Sequence, residues 1–569
     1  MNSQPDWSGA AQTFQQQLGE GWKKALESFG AMDLGPGMPA LPAMPAMPKL
    51  SFSSARLQEL QQAYLREASE LWNQGLTQQP GNKDKRFASD AWSTNPVAAF
   101  SAAVYLLNAR ALLGMAEAAE TDEKTKARLR FAVEQWMAAS APSNFMALNA
   151  EAQKKAVETQ GESIAKGIQN LFKDIQQGHV SMTDESVFEV GRNVATSEGA
   201  VVFENELFQL VEYKPLTPKV HERPFLVVPP CINKFYILDL QPENSLIRHL
   251  VDNGHRTFVV SWRNPDADLQ DKTWDDYIEG AALKAIEVVQ EIGGASQINA
   301  LGFCVGGTIL GTALAVLAAR GEKPVASATL LTTLLDFDDT GVLDLFIDEA
   351  FVKFREMQLG KGGLLKGQEL ASTFSFLRPN DLVWNYVVGN YLKGETPPPF
   401  DLLYWNSDST NLPGPMYAWY LRNTYFENNL VKPGKCKVAG QKVDLSKVDI
   451  PFYIYGSRED HIVPIGGAYA STKHLPGKKR FVMGASGHIA GVINPPAKNK
   501  RSYWTNDKLP ATADAWIEGA TEHPGSWWTD WADWLKGHAG KMVAAPKAYG
   551  KGKYKAIEPA PGRYVKAKA

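Results

Sequence analysis

Residues 297–308 read Gln297-Ile298-Asn299-Ala300-Leu301-Gly302-Phe303-Cys304-Val305-Gly306-Gly307-Thr308. The apolar first half predicts a buried strand, and the small residues that follow predict a helix. Between them lies Gly-x-Cys-x-Gly, the pattern of a nucleophile elbow, in which a strained turn exposes the nucleophile. Gly302 and Gly306 stand two residues before and after the cysteine, where any Cβ would collide with neighbouring backbone.

Cys304 is the candidate nucleophile of this turn. It would lie at the N-terminus of the following helix, where the helix dipole favours the thiolate over the thiol. A buried, unreactive cysteine is the other interpretation of the motif. The choice between the two depends on whether a suitable acid and histidine follow along the chain.

Two later predicted strands run into loops that end at Asp460 and His488. The order nucleophile, acid, histidine is that of the α/β-hydrolase fold. Glu459 is an alternative acid, but aspartate is the more natural residue in a turn after a strand. His461 adjoins Asp460 and is interpreted as a residue that caps the same loop.

Acyl transfer also requires two backbone N–H groups that stabilise the oxyanion. The first is expected from Val305, directly after the nucleophile, and the second from the loop after the predicted strand 225–228. Ile232 is the candidate donor in that loop. Cys231 lies beside it but has no glycine elbow around it.

Strands alternate with helices after residue 200, which predicts a mainly parallel sheet covered on both faces. Residues 201–569 are therefore predicted to form an α/β-hydrolase catalytic domain. The long separation of Cys304 from Asp460 predicts a large, aromatic-rich cap insert at about 338–447, suited to excluding water and receiving an apolar acyl chain. Residues 51–200 predict a mostly α N-terminal domain, and 1–50 an amphipathic helix and a Pro/Met-rich linker.

Composition excludes several classes of protein. Lys+Arg 59 against Asp+Glu 62 give a net charge of -3, which offers no case for a nucleic-acid partner. Three widely spaced cysteines indicate neither a disulfide framework nor a zinc cluster and fit a reducing cytoplasm. The longest uncharged helical run, 306–319, is too short for a bilayer, so we expect no membrane span, and the N-terminus does not resemble a secretory signal. The basic stretch 551–569 is interpreted as a solvated tail.

Several motifs follow one another along the chain: Val228-Pro229-Pro230-Cys231-Ile232-Asn233-Lys234, Ser261-Trp262-Arg263-Asn264-Pro265-Asp266, Gly302-Phe303-Cys304-Val305-Gly306-Gly307, Gly456-Ser457-Arg458-Glu459-Asp460-His461 and Gly484-Ala485-Ser486-Gly487-His488-Ile489-Ala490-Gly491. Together they closely resemble the class I polyhydroxyalkanoate synthases, which polymerise poly-3-hydroxybutyrate and related polyesters. The resemblance extends from about residue 86 to the C-terminus and is loose before that.

The resemblance implies an acyltransferase that polymerises short-chain (R)-3-hydroxyacyl-CoA, such as 3-hydroxybutyryl-CoA, and releases CoA through an acyl-cysteine intermediate. Cys304 would be the nucleophile, His488 the general base, and Asp460 would orient His488 or activate the 3-hydroxyl. It also implies a homodimer in the cytoplasm, bound to the polyester granule and its associated proteins. We expect no metal and no cofactor, since CoA is part of the substrate.

Two departures from that family are Met416 and Ile465, which stand where its members carry tryptophan. They bear on substrate preference rather than on the reaction. A cysteine hydrolase on the same fold is an alternative, in which water would replace the attacking hydroxyl. An inactive binding or scaffold protein is a second, but it would not need a nucleophile, acid and histidine in this order.

Overall fold

The computed structural model describes residues 51–74 and 84–569. The amphipathic helix and the Pro/Met-rich linker expected in residues 1–50 lie outside the described residues. The described chain begins with a two-residue strand, Ser51–Phe52, continues with helices, and changes to a large β-sheet at Gly199. The domain boundaries given above stay predictions.

The described part of the chain before the sheet is mostly helical. Its helices are α1 (Ser54–Gln74), α2 (Asp90–Ser93), α3 (Pro96–Ala118), α4 (Glu123–Ser140), α5 (Ala150–Glu158) and α6 (Glu162–Gln177). The side chain of Asn95 caps α3 by accepting hydrogen bonds from the Val97 and Ala98 N–H groups. Phe87 and Trp92 belong to a small core that this region has of its own.

Among the described residues, α3 alone is long and apolar enough, by length and composition, to cross a membrane. The expectation of no membrane span rests on the uncharged run 306–319, whereas Pro96–Ala118 is a longer apolar helix that this expectation leaves out. One such helix is weak evidence for a span, because the core helix of a soluble protein passes the same test. In the structure α3 packs against α1 and α4.

One sheet of eleven strands organises the rest of the chain. Its strands are β1 (Gly199–Glu204), β2 (Phe208–Tyr213), β3 (Phe225–Val228), β4 (Thr257–Trp262), β5 (Ile298–Phe303), β6 (Val325–Leu331), β7 (Phe452–Ser457), β8 (Lys479–Gly484), β9 (Ser502–Thr505), β10 (Thr521–Pro524) and β11 (Glu558–Pro559). Their order is β10-β9-β8-β7-β6-β5-β3-β4-β2-β1-β11. Strands β3 to β8 are parallel and the outer strands are antiparallel, so the predicted parallel centre is confirmed.

Helices cover both faces of the parallel strands. The remaining helices are α7 (Leu246–Asp252), α8 (Lys284–Gly293, continuing a π-helix at Asp276–Leu283), α9 (Val305–Ala319), α10 (Glu349–Leu359), α11 (Gly367–Phe376), α12 (Asp401–Ser407), α13 (Gly414–Tyr420), α14 (Ile465–His474), α15 (Ala513–Glu518) and α16 (Trp527–Lys536). Along β3, Phe225 and Val227 pack in one core, while Leu226 and Val228 pack in the other. Burial on both faces explains the continuous apolar runs of these strands.

The cap is the chain between β6 and β7, and it includes α10 to α13. The helices before the sheet hold it from one side. The Tyr391 hydroxyl donates to Asp174 at 2.6 Å, and Lys124 Nζ lies 2.9 Å from Asp344 Oδ1. The cap is therefore attached to the rest of the molecule by polar contacts in addition to its two connections to the sheet.

The C-terminal residues do not form the solvated tail that the sequence analysis expects. Strand β11 pairs with β1, Val565 is buried in the core, and the Ala567 carbonyl accepts a hydrogen bond from Lys234. The basic side chains of this stretch are exposed, as expected, but the stretch is not a free tail. Its contacts are made with residues far away in the chain, so the local charge pattern could not predict them.

Candidate active site

Cys304 lies in the turn between β5 and α9 with φ 54° and ψ -128°. A positive φ is uncommon for a residue with a Cβ and marks a strained turn. The turn is held because the Cys304 N–H donates to the Leu331 carbonyl at 2.9 Å. The side chain is only partly buried, which leaves the thiol accessible to a reactant.

The two glycines of the elbow have the role that the motif predicts. A Cβ on Gly306 would lie 2.2 Å from the Val228 carbonyl oxygen and 2.5 Å from that of Pro229. A Cβ on Gly302 would lie 2.4 Å from the Gly307 Cα. The elbow therefore packs directly against the end of β3, where the predicted oxyanion loop begins.

The structure brings His488 and Asp460 together. The His488 Nδ1 lies 2.7 Å from Asp460 Oδ2, and both side chains are buried. The other carboxylate oxygen accepts the Ile462 and Val463 N–H groups at 2.8 and 2.9 Å. Glu459, the alternative acid, is exposed and has no such contact with the histidine.

His488 also lies beside the nucleophile. Its ring stacks on Phe303, the residue before Cys304, with ring centroids 5.8 Å apart. Burial lowers the pKa of His488, but the charges and hydrogen bonds of Asp460 and Cys304 outweigh it and raise that pKa to about 10. The site thus favours the imidazolium form of His488 next to the sulfur of Cys304.

Two backbone N–H groups are available as oxyanion donors. Neither Val305 nor Ile232 donates its N–H to another described residue. Val305 is buried at the start of α9, where an N–H points out of the helix without an intrahelical acceptor. Cys231, next to Ile232, is buried, and burial raises its pKa, so it stays a thiol.

Aromatic side chains of the cap form a wall near the nucleophile. Trp419 and Tyr420 stack on Trp274 with centroids 4.9 and 5.3 Å apart. Burial raises the pKa of Tyr425, and the neighbouring Cys304 raises it further, so its phenol stays neutral. Such a wall excludes water from the reacting atoms.

The two departures from the family pattern lie in the cap and beside β7, the strand that precedes Asp460. Met416 is buried in the cap, and Ile465 packs against Gly456 at the end of β7.

Two features near the site were not found from the sequence. Thr333 donates to the Cys304 carbonyl at 3.2 Å, and Lys234 is buried at the end of the oxyanion loop. Lys234 belongs to a quoted motif, but its partner Ala567 is far away in the chain, and Thr333 belongs to no motif, so the sequence did not indicate either contact.

Among residues 51–74 and 84–569, no group of three or more His, Cys, Asp or Glu side chains could hold a metal ion. The chemistry that the described side chains offer is nucleophilic attack by sulfur with proton transfer through an imidazole. This is the chemistry of acyl transfer.

Comparison with known proteins identifies the family. The chain is 63% identical over 529 residues to the poly(3-hydroxyalkanoate) polymerase subunit PhaC of Cupriavidus necator, covering 91% of this chain and 90% of that protein. The chain belongs to the poly(3-hydroxyalkanoate) polymerase family. The poly(3-hydroxyalkanoate) polymerase of Methylorubrum extorquens is 42% identical over 497 residues, or 86% of this chain and 82% of that protein.

Family models agree with this assignment. The model "Poly-beta-hydroxybutyrate polymerase (PhaC) N-terminus" matches residues 83–250, and "alpha/beta hydrolase fold" matches residues 224–495. A solved monoacylglycerol lipase of Paleococcus ferrophilus is 13% identical, covers 50% of this chain and 91% of that chain, and has a TM-score of 0.32. The predicted family and fold class are thus confirmed, and the chain is an acyltransferase-type enzyme of the poly(3-hydroxyalkanoate) polymerase family on an α/β-hydrolase fold.

Proposed function

We propose that this enzyme polymerises short-chain (R)-3-hydroxyacyl-CoA, with 3-hydroxybutyryl-CoA as the preferred class, through an acyl group bound to Cys304. The observation that carries the proposal is the strained, accessible Cys304 beside His488, whose Nδ1 is bound to the buried Asp460. The names of its relatives support the same polyester product.

The first half of the reaction loads the enzyme. His488 holds the proton of Cys304, and the thiolate attacks the carbonyl carbon of the CoA thioester. The oxyanion that forms is stabilised by the N–H groups of Val305 and Ile232. The C–S bond to CoA then breaks, the CoA sulfur takes the proton from His488, and an acyl-cysteine thioester remains.

The second half extends the chain. The 3-hydroxyl of a second hydroxyacyl group attacks the acyl-cysteine and loses its proton to His488, and the Cys304 thiolate leaves. One ester bond forms and one thioester bond breaks, so no other reactant is needed. In this scheme Asp460 orients His488 and stabilises its imidazolium.

A cysteine hydrolase would need water at the acyl-cysteine in place of the hydroxyl. The aromatic wall from the cap favours the polymerase, because Tyr420 and Tyr425 are buried near the nucleophile.

We further propose that the enzyme is a cytoplasmic homodimer bound to the polyester granule. In this proposal it needs no metal or cofactor, binds no nucleic acid and does not span a membrane. Light scattering of the purified chain and imaging of a tagged chain in polymer-forming cells test the dimer and the granule.

The deciding experiment follows CoA release from (R)-3-hydroxybutyryl-CoA by the wild type and by Cys304→Ala, with the product sized in the same samples. We expect release of CoA with high-mass polyester, and loss of both by at least about 10⁴-fold in the variant, since a covalent nucleophile is removed. Release with only free acid would assign a hydrolase, and equal rates for the two proteins would remove Cys304 from the mechanism.

A further inference from the structure

Lys234 is a buried lysine at the end of the loop that contains Ile232. Only 3% of its surface is exposed, and its ammonium donates to the Ala567 carbonyl at 2.5 Å. Burial lowers the pKa of Lys234 to about 8, against the charge of Asp408, which raises it. Burying an ammonium costs free energy unless it is hydrogen-bonded, so packing alone does not explain a lysine here.

The Ala567 carbonyl, which accepts the hydrogen bond from Lys234, belongs to a segment that crosses the molecule. We call residues 563–568 the C-terminal strap. Arg563 pairs with Glu204 on β1 at 2.7 Å, and the Tyr564 hydroxyl donates to the Asn205 carbonyl at 2.9 Å. Val565 is buried in the core, which fixes the middle of the strap.

The far end of the strap reaches the cap. Lys568 Nζ lies 3.2 Å from Asp408 Oδ1, and Asp408 also accepts the Tyr236 hydroxyl at 2.8 Å. The strap therefore ends between the oxyanion loop and the segment that follows α12. It touches the oxyanion loop, which carries the Ile232 N–H, and a segment of the cap.

The oxyanion loop has three other contacts that hold its backbone. Trp262 donates its indole N–H to the Pro229 carbonyl at 2.9 Å, which holds the beginning of the loop. Trp405 of α12 donates to the Lys234 carbonyl at 2.7 Å, and Asn233 forms a bridge with Ser409. The strap supplies the hydrogen bond to the Lys234 side chain, whereas Trp405 binds its backbone.

We propose that Lys234 is a positioning residue, and that the C-terminal strap holds it so that the Ile232 N–H faces the carbonyl oxygen that becomes the oxyanion. The proposal rests on the proposed function, because it assigns the strap to acyl transfer at Cys304. It implies that the last residues of the chain control a step at the active site without touching the substrate.

Loss of this contact has a specific chemical signature. Oxyanion stabilisation requires the donor at hydrogen-bond distance from the developing charge, and a displaced donor weakens acyl transfer. Formation of the Cys304 thiolate depends on His488 and not on this loop. Displacement of the donor should therefore slow acyl transfer but not simple alkylation of Cys304, because alkylation at sulfur forms no oxyanion.

The experiment uses the full-length enzyme, a Lys234→Met variant and a chain shortened by residues 567–569. Methionine keeps the length and packing of the lysine stem, and the Ala567 carbonyl is left at an exposed residue where water can reach it. Lys555→Met is the matched control, an exposed lysine upstream of the strap. Acyl transfer is measured by CoA release, and alkylation of Cys304 by iodoacetamide is followed by mass spectrometry of its peptide.

We expect kcat to fall about 10- to 100-fold in Lys234→Met and in the shortened chain, somewhat less than for complete removal of an oxyanion donor. KM and the alkylation rate should stay within about 2-fold of wild type, as should all three values for the control. The shortened chain already lacks the Ala567 carbonyl that Lys234 binds, and it also loses the contacts of Lys568 with Asp408 and Asn264. Because the two changes share one contact, their combined effect should be smaller than the sum of the two separate effects.

Three results would overturn the proposal: unchanged kcat in both variants, equal loss of CoA release and alkylation, or additive losses in the combined variant. These are distinct from failure of the proposed function. That failure appears in the wild type, as absence of Cys304-dependent CoA release, whatever the strap variants do.

Discussion

Asp460 has two carboxylate oxygens with different partners, and this separates its structural role from its electrostatic one. Oδ1 accepts two backbone N–H groups of its own loop, whereas Oδ2 binds His488. In Asp460→Asn the amide oxygen can keep the loop contacts, but the negative charge is lost. We expect kcat to fall by about 10²- to 10⁴-fold, in line with the effect of this change in acid-histidine pairs generally.

The pH profile gives a second readout of Asp460→Asn. The charge of Asp460 raises the pKa of His488, so its removal should move the alkaline decline of kcat/KM from about pH 10 to lower pH. Glu459→Gln is the matched control, because Glu459 is adjacent but exposed. A larger effect from Glu459→Gln than from Asp460→Asn would reverse the assignment of the acid.

Cys304 should in turn control the protonation of His488. In the wild type, the cysteine is one of two partners that raise the pKa of His488 to about 10. In Cys304→Ala that partner is absent, so we expect the His488 pKa to fall while staying above its value in Asp460→Asn. NMR titration of His488 measures both, and an unchanged pKa in Cys304→Ala would contradict a thiolate-imidazolium pair.

At the scale of elements, the elbow depends on the approach of α9 to the end of β3. Gly306→Ala would place a Cβ 2.2 Å from the Val228 carbonyl oxygen, so the two elements must separate. We expect a loss of about 1–3 kcal/mol in the free energy of unfolding and a much lower kcat, because the loop with Ile232 begins at this contact.

Gly537→Ala provides the control for this change. Gly537 follows α16 with φ -66°, and a Cβ there comes no closer than 3.4 Å to the Trp534 carbonyl oxygen. Denaturant unfolding and CoA release are measured for both variants. Equal stability and activity of Gly306→Ala and Gly537→Ala would show that the elbow tolerates a side chain.

Elements whose burial is encoded locally were predictable from the sequence. The strand before Cys304 is predicted at 297–303 and observed at Ile298–Phe303. The prediction succeeds because a short apolar run with glycines near its ends is typical of a buried strand. β11 was not predicted, because Glu558–Pro559 is short and becomes a strand only by pairing with β1. Asp460 and His488 were found because each follows a recognisable strand. The contact of Lys234 could not be predicted, because its partner Ala567 is 333 positions away in the chain.

At the scale of the whole molecule, the buried histidines make stability depend on pH. His255 stacks on His221 with centroids 4.7 Å apart, and burial lowers the pKa of His255 from 6.5 to about 3. The folded protein keeps this ring neutral, whereas the unfolded chain binds a proton below pH 6.5. The contribution is therefore fully present above pH 6.5 and is lost as the pH falls towards 3, by roughly 2 kcal/mol at pH 5.

His255→Phe tests this contribution because phenylalanine keeps a ring against His221 but cannot bind a proton. We expect its denaturant midpoint to fall less than that of the wild type between pH 7 and pH 5. His523→Phe is the control, since His523 is a half-buried ring stacked on Tyr503 at the opposite edge of the sheet. An equally steep decline in His255→Phe and the wild type would contradict the linkage.

The contact between Lys234 and Ala567 joins residues 333 positions apart in the chain. Ribosomes add about 5–20 residues per second, so Ala567 is synthesised on the order of half a minute after Lys234. During that time the nascent chain can form its elbow and its acid-histidine pair, but not the strap. If the strap positions the Ile232 N–H as proposed, full activity has to wait until residues 563–568 have left the ribosome and reached Lys234.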